Sequence, residues 1–273
     1  MEDKELFGTL TKILDGISES EYPEICKVIR FNIDTENETV YVDAETIADQ
    51  LYQADGAKQL PARVGDFLLK VYKKQMNEGN ADAACNIGAL YYTGRIGEQS
   101  YKKAVKYYVL AAEGGCRQAQ ENLGYCYYYG RNVKVDYEKA FHYFALGAFD
   151  GQIRSLYKIG DMYRSGYYVQ KNEAEAFRIY RRCEESMTEG EIPLVGADVM
   201  MRMGDCWFLG IGTNVDYKEA RIYYQNAERM FFERLECGDF LIRECYDRVI
   251  ARQEEIRNKL DALLPPFEWI NKQ

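Results

Sequence analysis

The chain has 273 residues, 47% of them apolar and 14% aromatic, with a formal net charge of −9. That apolar content excludes a disordered polymer, and eight cysteines without C-x-x-C spacing beside a single histidine, His142, argue against structural zinc. Residues 1–62 hold 14 acidic and 5 basic side chains, which is the whole imbalance, so no block supplies the basic footprint a nucleic-acid partner needs.

In chain order, the opening "MEDKELFGTL" carries acidic residues where an export signal has basic ones, and no apolar run reaches the 18 residues of a membrane span. The expectation is a non-exported, cytoplasmic protein with free thiols, no membrane association, no metal and no cofactor. Residues 1–43 form an acidic N-terminal region: "KELFGTLTKILDGI" has apolar residues at helical spacing, and "VIRFNIDTENETVYVD" reads as a β-hairpin around a polar turn. Residues 44–82 look like a worn copy of the repeats that follow, with Leu51 where Ile87 stands and Leu68 where Ala104 stands. Tyr52 occupies the place of a glycine, so this segment suits an N-terminal cap.

Four units then repeat, over residues 83–118, 119–154, 155–196 and 197–230. Their anchors are Gly88, Gly124, Gly160 and Gly204, each preceded by Ile87, Leu123, Ile159 or Met203 and followed three places on by Tyr91, Tyr127, Tyr163 or Trp207. Glycine inside a helix costs about 1 kcal/mol relative to alanine, so the anchors imply a close approach of two helices. Six places after each anchor, Gly94, Gly130, Gly166 and Gly210 end the first helix. Ser100, Asp136, Asn172 and Asp216 then sit where a second helix needs its N-cap, and Glu175 and Glu219 suggest capping boxes in the last two units. The spacing predicts an all-α solenoid of helix-turn-helix repeats, with a possible small hairpin near the N-terminus. The last spacing is longer because of an insertion in "TEGEIPLVGA". Residues 231–262 read as one long charged capping helix, and the tail "LPPFEWINKQ" carries Phe267 and Trp269 past two prolines.

The motifs "NLGYCYYYG" with "VDYEKAFHYF", and "NIGALYYTG" with "SYKKAVKYYVLAAEGG", resemble the Sel-one-like repeats, a branch of the tetratricopeptide-like helical repeat superfamily. The resemblance covers residues 83–230; the third and fourth units depart with Glu175-Ala176, Trp207 and Glu219-Ala220. It implies stacked helix pairs that serve as scaffolds for protein complexes, and it brings no catalytic residues.

With the first helices on the concave wall, the positions two before, one after and five after each anchor face away from the core. The resulting groove offers Asn86 and Thr93, then Asn122, Tyr125 and Tyr129, then Lys158 and Asp161, then Arg202 and Asp205. Tyrosine and asparagine together suit a peptide backbone, so the expected function is non-catalytic binding of a peptide or protein partner in that groove. An alternative is an acidic inhibitor or immunity-type protein whose N-terminal quarter neutralises a basic partner. A hydrolase using Asp161 and Asp205 as paired carboxylates is a third reading. A cysteine nucleophile served by His142 is a weaker one.

Overall fold

The computed structural model describes residues 2–54, 58–239 and 242–262. These residues form an all-α fold of the α-solenoid class, with one two-stranded sheet, and divide into two compact units, Met1–Asp136 and Tyr137–Gln273. Phe267 and Trp269 lie outside the described residues.

In the first unit, α1 (Asp3–Leu14), α2 (Pro23–Asn32), α3 (Ala44–Gln53) and α4 (Ala62–Asn77) share one core built on Leu6, Leu10, Ile25, Ile29, Leu51 and Leu68. The expected hairpin is present but short: β1 (Ile33–Asp34) pairs antiparallel with β2 (Thr39–Val40), Ile33 opposite Val40. Val28–Asn32, read from sequence as strand, belongs to α2. Pro23 opens that helix, and Ile25, Cys26 and Ile29 bury one helical face, so tertiary burial overrides the β-branched pattern. The Asp34 carboxylate accepts the Glu36 and Asn37 amides and closes the turn.

After α4 the unit continues with α5 (Ala81–Thr93), α6 (Tyr101–Glu113) and α7 (Arg117–Tyr129). The second unit holds α8 (Tyr137–Phe149), α9 (Ile153–Ser165), α10 (Glu173–Ser186), α11 (Ala197–Leu209), α12 (Tyr217–Glu236) and α13 (Arg243–Asp261). A π-helical turn, Ile192–Gly196, takes up the insertion ahead of α11. The single helix expected over 231–262 is instead the end of α12 and a separate α13. Gly238 adopts φ +86° after α12, and the Asp239 amide bonds back to the Arg234 carbonyl, the pattern that stops a helix with a left-handed residue.

The anchor glycines show why they are there. A Cβ on Gly88 would lie 2.6 Å from the Tyr108 ring, on Gly160 2.6 Å from Tyr180, and on Gly204 2.9 Å from Tyr224. Each ring belongs to the second helix of its pair, 20 residues on, and is essentially inaccessible. At the same offset from Tyr52, in the segment ahead of the four repeats, Tyr72 meets Tyr52 edge-on at 6.1 Å. Two rings cannot close the gap that a ring and a bare backbone can.

The caps fall where the sequence puts them, with a difference. Ser100, Asn172 and Asp216 accept amide hydrogen bonds at the starts of α6, α10 and α12. Their own N–H groups bond to the carbonyls of Tyr91, Tyr163 and Trp207, at 2.9, 2.9 and 2.8 Å. That bond takes the donor which Glu175 and Glu219 would need for a capping box, and it ties each second helix to the first.

Candidate functional site

The predicted groove positions divide sharply between the units. In the first, Tyr125 is half-buried and Tyr129 is 49% exposed. Their rings, one helical turn apart on α7, stack at 6.3 Å with planes 8° apart, and Tyr128 meets Tyr129 edge-on at 4.8 Å. Arg131, just past the helix, lies 4.9 Å from the Tyr101 ring and 5.8 Å from the Tyr129 ring. Sequence reasoning missed Arg131, since nothing in the repeat rule marks a loop residue that folds back over two rings. Thr93 is exposed, its hydroxyl donating to the Ala89 carbonyl of its own helix.

The amides are less free than expected. Asn122 donates to the Cys85 sulfur at 3.7 Å and accepts from Gln118 at 3.4 Å. Asn86 is half-buried. Asn122 therefore joins neighbouring helices, and Tyr129 with Thr93 is what the face offers most openly to solvent.

In the second unit the same positions carry charges, and the charges are engaged. Arg202 of α11 grips Asp161 of α9 through two nitrogens at 2.7 and 2.8 Å, and Lys158 stands 3.3 Å from the same carboxylate. Tyr180, whose ring lies on Gly160, donates its hydroxyl to Asp161 at 2.8 Å. The motif recurs: Tyr224, over Gly204, donates to Asp205 at 2.6 Å, and Arg164 bonds the other oxygen at 3.0 Å. Arg248 of α13 stands 3.6 Å from Asp205, as Arg202 serves Asp161. Lys158, Arg202 and Asp205 are buried, so these residues form a structural seam rather than an open groove wall. Adjacent first helices lie close enough for a long cation to reach the carboxylate on its neighbour, which a single-helix projection does not reveal.

Burial alone would raise the Asp161 carboxyl, but the Arg202 guanidinium, Lys158 and the Tyr180 hydroxyl outweigh it and hold it well below the usual carboxylate range. Burial and the same carboxylate push the Tyr180 hydroxyl well up. Asp161 and Asp205 are thus each locked to a guanidinium and a tyrosine, an arrangement unsuited to an exchanging acid and base. His142 is exposed on α8, edge-on to Tyr143 at 6.0 Å. Among the described residues no cluster of three or more histidine, cysteine or acidic side chains is placed to hold a metal, and no helix is long and apolar enough to cross a membrane.

The Sel1 repeat family model matches residues 81–116, 117–148, 153–182 and 197–230. The chain carries four Sel1 repeats. Among solved structures it is similar to a Sel1 repeat protein from Oxalobacter formigenes, at 22% identity and a TM-score of 0.51, over 68% of this chain and 77% of that one. It is also similar to a protective antigen of uropathogenic Escherichia coli strains with an SLR fold, at 21% identity and a TM-score of 0.51. That match covers 77% of this chain and 46% of the antigen, and at these identities both likenesses concern the fold alone. Comparison with curated proteins finds no match. Repeats of this family are generally protein-interaction modules and typically non-catalytic scaffolds.

Proposed function

We propose that this Sel1 repeat protein is a non-catalytic adaptor that holds a peptide or protein segment on the first-helix face of its N-terminal unit, centred on Tyr125 and Tyr129. The stacked, solvent-facing pair of tyrosines edged by Arg131 carries this reading. Flat rings held by their neighbours give contact area at low entropic cost, and such residues dominate interface energies. The positions Asn86, Thr93, Asn122, Tyr125 and Tyr129 bring no carboxylate or ammonium to the face, which suits an uncharged main chain.

The test compares affinity purification from the native cell using the parent chain and Tyr125→Ala with Tyr129→Ala. The double variant should keep its helical content and lose the parent's co-purifying partner, with affinity for that partner weakened by roughly 2 to 4 kcal/mol. Recovery of the same partner at the same yield would place the binding surface elsewhere.

One observation supports the acidic-inhibitor reading. A cavity of about 560 Å³ in the N-terminal unit is lined by Asp3, Glu5, Asp43 and Glu45 beside Leu6 and Val71, together with Lys74 and with Lys70, which pairs with Glu5 at 2.8 Å. If a basic partner docks there, association should slow steeply between low and physiological salt, where screening acts beyond about 8 to 10 Å. An unchanged rate removes this reading.

A further inference from the structure

Helix pairs in this chain follow one another through short links: three residues join α6 to α7, and three join α8 to α9. Ten residues, 187–196, separate α10 from α11, and they end in the π-helical turn Ile192–Gly196. Val195 is buried in the core of the second unit, and a methyl group on Gly196 would lie 3.0 Å from the Met230 sulfur, so the turn sits directly on α12. With Val195 turned inward, Ile192 and Leu194 are left 38% and 55% exposed. Single π-helical turns are frequent at functional sites, and this one belongs to a segment that the repeat itself does not need.

A cavity of about 450 Å³ opens beside the turn. Ile192, Leu194 and Met230 supply apolar surface to it, and Arg154, Arg229 and Arg234 supply its cations. Two of the arginines are neutralised: Arg229 pairs with Glu233 at 3.0 Å, and Arg234 pairs with Asp239 at 2.7 Å and with Asp198 at 3.0 Å. Those pairs take up both carboxylates of the lining, Glu233 and Asp239. Arg154, half-buried in the first turn of α9, has no carboxylate partner among the described residues. The cavity therefore combines an apolar surface with one uncompensated positive charge. Small-molecule sites enclose most of their ligand. Here Leu194 and Cys237 stand exposed on the lining, which suits a peptide chain crossing an open cavity.

We propose that this cavity is the docking site for an acidic, apolar segment of a protein partner. A large apolar side chain of that segment covers Ile192 and Leu194, removing from water the surface that the insertion exposes. An aspartate or glutamate within a few residues of it accepts charge-assisted hydrogen bonds from the Arg154 guanidinium. The same charge disfavours a basic segment. The site belongs to the second unit and stands whether or not Tyr125 and Tyr129 bind a peptide.

Cys237 provides a reporter, because it lines the cavity and is exposed. A random peptide library displayed on phage is panned against the full chain, and the enriched peptides are synthesised and titrated by fluorescence anisotropy. They should place an aspartate or glutamate near a leucine, isoleucine, phenylalanine or tryptophan. Their affinity should fall about tenfold in Arg154→Ala and in Leu194→Ser, and should weaken as salt rises. Bound peptide should slow alkylation of Cys237 by N-ethylmaleimide, mapped by mass spectrometry, and leave the half-buried Cys245 unchanged. A selected pool in which no peptide protects Cys237 overturns the proposal, as does protection by peptides without an acidic residue or by peptides that keep their affinity in Arg154→Ala. Protection of Cys237 by a synthetic peptide of residues 263–273, in which Glu268 lies between Phe267 and Trp269, would make the occupant a second copy of this chain and overturn the assignment to a partner. The selected sequences and the protection of Cys237 are read on the parent chain, so they decide the matter even if a variant fails to fold.

Discussion

The two units use one repeat register for opposite ends. One residue after the anchor glycine, the first unit has Ala89 and Tyr125, where the second has Asp161 and Asp205; two before it, the first has Asn86 and Asn122, where the second has Lys158 and Arg202. The neutral set leaves a half-exposed tyrosine stack, while the charged set closes on itself, with Asp161 held by Arg202 and Tyr180. A position on a repeat is therefore not a surface by virtue of its phase alone. It becomes one when the packing around its residue leaves the side chain open to solvent, as at Tyr129.

The comparison can be broken most forcefully at Asp161. Asp161→Ala leaves the Arg202 guanidinium buried without its main partner and should destabilise the chain by roughly 3 to 5 kcal/mol in urea unfolding. Asp161→Leu combined with Arg202→Met should recover most of that loss, since a well-packed apolar pair of similar volume can replace a buried ion pair. A mild effect of Asp161→Ala would mean that the seam is a solvated wall after all.

Next come the glycines, which should behave alike in both units because the ring contact is common to them. Gly88→Ala and Gly160→Ala each drive a methyl group into Tyr108 or Tyr180 and should cost roughly 1 to 3 kcal/mol despite alanine's better helix propensity. A stabilising alanine at either site would show that the ring can shift aside.

Acid should then separate the units. Because the folded Asp161 carboxyl lies below its unfolded value, its stabilisation is present above about pH 4 and is lost as pH falls below that toward the folded value. The parent should lose stability on acidification more steeply than Asp161→Asn, and parallel curves from the two would remove Asp161 as the linked group. The smallest effect belongs to the caps: Ser100→Ala should lower stability by about 1 kcal/mol, read as a small shift in the urea midpoint.

Much of the fold was legible because its rules act within a helix or a turn. The anchor glycines, the left-handed Gly94, Gly166 and Gly210, and the caps at Ser100, Asn172 and Asp216 all stand where the spacing puts them. Reading failed where a segment satisfied two local rules at once. Val28–Asn32 has strand-forming residues but a helical burial face, and the run from 231 to 262 keeps a helical pattern across the Gly238 turn.

For the candidate site, the sequence by itself determined which residues occupy equivalent positions on successive first helices, since the 3.6-residue period and the anchor glycines fix their phase. Only the tertiary structure decided which of them meet. Asp161 and Arg202 are 41 residues apart, and Asp205 and Arg248 are 43 apart. Whether such side chains face water or each other depends on the distance between neighbouring helices and the reach of an arginine across it, and no period along one chain encodes that distance.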